Sequence, residues 1–273
     1  MFADPIKKCS NTSFRIKTLL KNNPLGFWIS SAMAGAYVGL GVILIFTLGN
    51  LVDPSMRYLV MGATFGVALT LVIIAGSELF TGHTLYFSLG VKTGQITLSD
   101  AAKVLPATWA GNFLGAIFVA VLFMSTGGGK LLPDATSLLH QTALAKSTAP
   151  AAALFAKGLL CNWLVCLAIW MCLRETGTAR FIAIWWCLLA FIASGYEHSI
   201  ANMTIFALSW FGEPAQGFTL SGAAHNLLWV SLGNLVSGSV FVGLGYWYAT
   251  PKEQRPLIST DNQPNLEVAN TNA

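Results

Sequence analysis

Long uncharged runs separated by short polar turns set the pattern of this chain. Residues 27–50 hold no charge and are long enough for a helix to cross about 30 Å of hydrocarbon. Ala34-Gly35, Gly39 and Gly41 within them predict close helix packing. Residues 58–91 carry a single formal charge, Glu78, and are too long for one span yet too short for two. They predict one span followed by a half-helix, broken within Gly76-Ser-Glu-Leu-Phe-Thr-Gly-His83. Residues 104–125 and 149–173 supply the third and fourth spans. Residues 181–211 repeat the earlier problem, with an interruption at 195–202, and residues 225–248 form the sixth span. A polar, basic stretch (92–103), a Gly127-Gly-Gly-Lys130 loop running to about 146, and a charged turn (174–180) separate them.

The two interrupted segments are each second in a group of three, and Gly76-x-Glu78 matches Gly195-x-Glu197. Trp109-x-Gly111-Asn112 is likewise echoed by Trp229 ahead of Gly233-Asn234. Three spans per group make the repeats (27–125 and 149–249) inverted in the membrane, and paired broken helices in inverted halves point to a solute site near the midplane. The fold class is therefore all-α integral membrane, with six transmembrane helices and the second and fifth broken. Residues 1–26, with five basic residues among Ile6, Cys9, Ile16 and Leu20, predict a short amphipathic helix along a membrane surface. Residues 250–273 are polar and predict a disordered tail.

Composition narrows the class. The chain of 273 residues is 55% hydrophobic and only 10% charged, against about 25% for soluble domains. It carries no basic stripe or nucleic-acid motif, so nucleic-acid partners are set aside. Its five cysteines lack metal or redox spacing, and four lie in apolar runs where a thiol acts as a small hydrophobe. No cleavable leader is predicted, because the first 25 or so residues are polar and basic. The tails, residues 92–103 and the turn at 174–180 hold eleven of the fifteen Lys and Arg, which places both termini in the cytoplasm.

Candidate chemistry centres on Ser194-Gly-Tyr-Glu197-His198-Ser-Ile-Ala-Asn202. Ionisable groups at membrane depth are costly and mark pathways or relays. Glu197 with His198 fits a proton relay, a metal site or a buried structural pair. Adjacent helical residues point about 100° apart and chelate one ion badly, and His83 and His225 add no ligand spacing. A histidine in a helix break faces a cavity, and its N–H suits the anion of a weak acid. Phe65 and Leu69, one helical turn apart, and Phe191 fit core packing better than a pore wall. Lys146 fits an outer mouth or a plain loop, and Lys157 a snorkelling interface position.

Gly76-Ser-Glu-Leu-Phe-Thr-Gly82, Gly158-Leu-Leu-Cys-Asn-Trp-Leu-Val-Cys-Leu-Ala-Ile-Trp170 and Gly195-Tyr-Glu-His-Ser-Ile-Ala-Asn-Met203 resemble the formate/nitrite transporter family, nearer its bacterial nitrite channels than its formate channels. The resemblance runs from Asn22-Asn-Pro24 through the last span. It implies an aquaporin-like fold, a homopentamer in the bacterial inner membrane with one pore per protomer, and nitrite or similar small anions and protons as partners, with no cofactor, metal or enzymatic activity. It assigns His198 to the pore centre with Thr81 as hydrogen-bond partner and Asn202 on the pathway. Phe65, Leu69, Leu79, Phe80 and Phe191 match the family's constrictions, and Lys146, Asn162 and Glu197 the residues that tune the histidine and draw anions. His83 departs from the smaller polar residue common at its position. Formate, a neutral solute such as ammonia, and proton-coupled carriage stay open as alternatives.

Overall fold

The computed structural model describes residues 1–132 and 134–256, and it is all-helical. Helix α1 (Ala3–Asn22) turns Ile6, Cys9, Ser10, Ser13 and Ile16 inward. This face does not meet lipid; it packs on α4, where Ser10 and Thr93 share a hydroxyl bond of 2.5 Å. Asn23 ends α1 and starts α2 (Pro24–Leu51), its side chain accepting from the Gly26 amide, while Pro24 sits in the first turn, where an amide proton is not missed.

Helix α3 (Arg57–Thr70) runs into a π-helical stretch, Leu71–Gly76, and then loses helical form. Chain direction is recovered by α4 (Phe80–Lys92). Helix α5 (Leu98–Ser125) starts ahead of residue 104 because Thr97 and Asp100 close a reciprocal capping box. The loop expected at 127–146 contains a helix, α6 (Leu138–Ser147), started by Ser137 and seated through buried Leu139, His140 and Ala143. His140 Nδ1 lies 3.0 Å from Ser209 Oγ. Burial pushes His140 below the ordinary imidazole value, against the opposing pull of Asp134 and Glu213. Lys146 falls in the last turn of α6, where cations suit the helix dipole.

Helix α7 (Ala151–Cys172) is followed by the pair α8 (Thr178–Ala193) and α9 (Ser199–Phe211), the resolved form of the second interrupted run. Helix α10 (Leu220–Val236) continues through a π-helical stretch, Ser237–Leu244, into α11 (Gly245–Ala249). In that stretch Gly238 and Gly243 lie against Thr84 and Ser88 of α4, so closely that an added Cβ would overlap either hydroxyl. Among the described residues, five helical segments are long and apolar enough to cross a membrane: 24–51, 57–76, 98–125, 151–172 and 220–249.

The main contacts are α2 with α5, α7 with α10, and α3 with α8. Glycines set the first two. A Cβ on Gly35 would overlap the Asn112 carbonyl, one on Gly115 the Ala32 carbonyl, and Gly158 meets Gly233 across α7 and α10. The half-helix α9 is buried from Ser199 through Ser209, covered by protein on every side, so that its mostly apolar residues pack all round and its few polar ones face protein. Many large apolar side chains are exposed, including Phe118, Leu122, Ile182 and Trp186, as for helices facing hydrocarbon. The tail begins in order: Lys252–Gln254 form a 3₁₀ turn, and the Arg255 guanidinium lies 5.6 Å from the Trp247 ring. Residues 257–273, the rest of the tail predicted to be disordered, lie outside the described residues.

Candidate functional site

Two helix interruptions build the site, and each is opened by a glycine in the left-handed region, Gly76 at φ 83° and Gly195 at φ 68°. Backbone polar groups released there at membrane depth need partners, and two asparagines provide them in matching ways. Asn112 Nδ2 donates to the Ser31 and Glu78 carbonyls, while its Oδ1 accepts from the Phe80 amide at 2.9 Å. Asn234 Nδ2 donates to the Gly158 and Glu197 carbonyls, while its Oδ1 accepts from the Ser199 amide at 3.0 Å. The amides of Glu78 and Glu197 complete the pattern, donating to the Ser30 and Lys157 carbonyls. Both asparagines are fully buried. Their clamping role was missed from sequence, although the Gly-Asn pair in the third element of each repeat was its visible signal.

His198 ends the second interruption and caps α9, its Nδ1 accepting the Ala201 amide at 3.2 Å. In a neutral imidazole that bond leaves the proton on Nε2. Nε2 lies 3.1 Å from Thr81 Oγ1, which comes from the opposite interruption 117 residues away in sequence. The two breaks thus meet at this pair, and both residues are buried.

Phe191 stacks beside the His198 ring with centroids 6.1 Å apart, and Phe65 meets Phe191 edge-on at 5.7 Å. Below them Leu69, Leu79, Val38, Val165 and His198 surround a void of about 10 Å³, room for roughly one water. Four of the five residues matched to constrictions therefore converge there. Phe80 does not. Its side chain faces a lateral apolar groove of about 860 Å³ between α5, α9 and α10.

A cavity of about 460 Å³ opens above the aromatic pair, lined by Arg57, Lys146, Lys157, Glu197 and Asn202 among others, with His198 at its base. Glu197 Oε2 accepts from Lys146 Nζ at 2.7 Å and from Asn202 Nδ2 at 2.6 Å. Asn202 also reaches Asn226. Asn202 therefore lines the cavity with its amide protons already engaged. Asn162 lies deeper, its Nδ2 donating to the Thr81 and Asn234 carbonyls at 3.3 and 2.6 Å. It positions the first turn of α4, which carries Thr81.

The other interruption has its own ionic cluster. Glu78 accepts from Arg15 of α1 at 2.8 Å and lies 2.9 Å from His83 Nε2, whose Nδ1 lies 3.1 Å from Thr108 Oγ1. His83 and Asn202 thus occupy corresponding places, five residues beyond Glu78 and Glu197 and bonded to them. The place of His83 was legible as an oddity of sequence, but the Arg15 that completes the cluster on Glu78 was not.

Residues 9–248 match the family described as Formate/nitrite transporter. The chain is 67% identical over 270 residues to the "Nitrite transporter NirC" of Salmonella typhimurium, covering 99% of this chain and all of that one. It is 69% identical over 263 residues to the protein of the same name from Escherichia coli, covering 96% and 98%. Among solved structures, an "FNT family ion channel" superposes with a TM-score of 0.90 at 70% identity, over 92% of this chain and 100% of that one. A "Pentameric formate channel with formate bound" superposes at 0.72 with 26% identity, over 89% and 98%. Spanning helices, a meeting of two helix breaks at a buried histidine and these likenesses agree: the chain belongs to the formate/nitrite transporter family.

Proposed function

We propose that this protein passes nitrite across the bacterial inner membrane, through a pore in each protomer of a homopentamer. Six spans in two inverted repeats, with α3–α4 and α8–α9 as the broken pair, carry that pore, and both termini are cytoplasmic. The observation that carries the proposal is His198 Nε2 at the base of a cationic cavity, 3.1 Å from Thr81 and next to a void with room for one water. The relatives named for nitrite transport and the neighbour with formate bound support the substrate class.

The anion leaves bulk water in the cavity and passes the Phe65–Phe191 pair. It sheds its shell where apolar walls make that costly and accepts a hydrogen bond from His198 Nε2, replacing Thr81. It leaves past Leu69 and Leu79. The Ala201 bond favours hydrogen bonding over protonation as the role of His198. Giving up the Nε2 proton from the neutral ring would leave an imidazolate, and protonating Nδ1 first would break the α9 cap.

In liposomes, His198→Asn is expected to lower nitrite influx at least roughly tenfold, the scale of a hydrogen bond to a charged group, about 1.5–3 kcal/mol. Internal pH, followed at the same time, should not move in step with nitrite in the unmodified protein. An unchanged rate and pH profile in the variant would sink the role of His198. The void's apolar lining also suits a neutral solute, so ammonia flux exceeding nitrite flux would favour that second reading.

A further inference from the structure

The charged residues lining the outer cavity are Arg57, Lys146, Lys157 and Glu197. Lys146 is the least available of the cations: its side chain is 16% exposed and its ammonium lies 2.7 Å from Glu197, whose side chain is 5% exposed. At that distance the two charges largely cancel for an ion some ångströms away, because a dipole's field falls faster than a charge's. Lys146 also lies in the last turn of α6, and its backbone carbonyl accepts from Asn226. It is built as a structural strut.

Arg57 and Lys157 differ. Lys157 is exposed and, among the described residues, has no carboxylate within ion-pair distance. Arg57 donates from Nε to the Gly49 carbonyl at 3.1 Å, which aims it from the last turn of α2. Among the described residues Arg57 also has no carboxylate within ion-pair distance, and nearby Asp53 is exposed and held by Ser55. The cavity's excess of positive charge therefore resides on Arg57 and Lys157.

We infer that Arg57 and Lys157, rather than Lys146, form the site that concentrates small monovalent anions at the outer mouth and sets uptake at low anion concentration. This rests on the cavity being the entrance of an anion path. Two cations lining the cavity without an ion-pair partner raise the local concentration of a monovalent anion by a few-fold at low salt, an effect screened within about 8 Å at physiological ionic strength. They act before the neck, so they change capture and not the passage step.

The test is nitrite influx into liposomes carrying the full chain, at about 10 mM and about 300 mM of an impermeant salt, where the Debye length falls severalfold. The unmodified protein is expected to lose roughly three- to tenfold of its low-concentration uptake as salt rises. Lys157→Gln with Arg57→Gln is expected to start at the high-salt rate and show no salt dependence, with the half-saturating nitrite concentration raised and the maximal rate kept. Lys157→Arg should restore the low-salt rate. Lys157→Gln alone, which leaves the Gly49 contact intact, should remove about half of the effect. Salt dependence that persists in the double variant, or that vanishes only in Lys146→Met, would overturn the inference. Failure of the unmodified protein to carry nitrite would instead overturn the transport proposal beneath it.

Discussion

Asn112 and Asn234 show how much rests on single polar side chains at membrane depth. Each bonds three backbone groups, two of them exposed by its helix break and one in a neighbouring helix. Replacing either by Leu keeps the volume but strands those groups, at about 1–3 kcal/mol for each one left without a partner. Asn234→Leu is therefore expected to lower the thermal midpoint in detergent clearly, and to lower nitrite flux with it, because Ser199 next to His198 loses its anchor. A midpoint within error of the parent protein would contradict the clamp. His198 was legible in sequence as an ionisable residue beside a glycine in an apolar run. Its tautomer was not, since that depends on the Ala201 amide folding back onto Nδ1.

Among the elements, α1 illustrates an amphipathic pattern with two possible destinations. Basic residues interleaved with Ile6, Cys9 and Ile16 suit a lipid surface and a protein surface alike, and only the presence of α4 decides between them. The contact is close: a Cβ on Gly90 would overlap the Ser13 hydroxyl. The ion pair Arg15–Glu78 adds little energy of its own, because the Arg15 side chain is 57% exposed. Gly90→Val is therefore expected to release α1 from α4 far more than Arg15→Ala does. Hydrogen exchange across residues 3–22 would show it, with amides that are slow in the parent becoming fast in Gly90→Val. Equal protection in both variants would mean that packing does not hold α1. Helix α6 was missed because its apolar positions are few, and its cap at Ser137 and seat on α9 supply what periodicity did not.

For the whole molecule, assembly is the property least visible in one chain. Leu228 of α10 and Trp210 of α9 are exposed on a lateral, largely apolar groove, and Phe118 is exposed elsewhere on α5. Hydrocarbon and a second protomer satisfy such a surface equally, and the pentameric formate channel that superposes here is what favours the protomer. Native mass spectrometry from mild detergent is expected to give a particle of five copies of the 29.2 kDa chain. A monomer that still conducts nitrite would remove the pentamer from the proposal.

The sequence by itself determined the class of this protein. Uncharged runs long enough to cross hydrocarbon, two runs of awkward length, and Gly-x-Glu in both followed from composition and spacing, because a bilayer constrains length and charge so strongly. It also supplied the motifs that place the chain in its family. Tertiary structure decided which charges face each other and which are free. Spacing cannot say that Lys146 meets Glu197, that Arg15 meets Glu78, or that Phe80 turns away from the void that Leu79 lines. Those pairings join residues 51 and 63 positions apart. They exist only because distant segments fold back onto each other, and no local preference of either segment encodes that meeting.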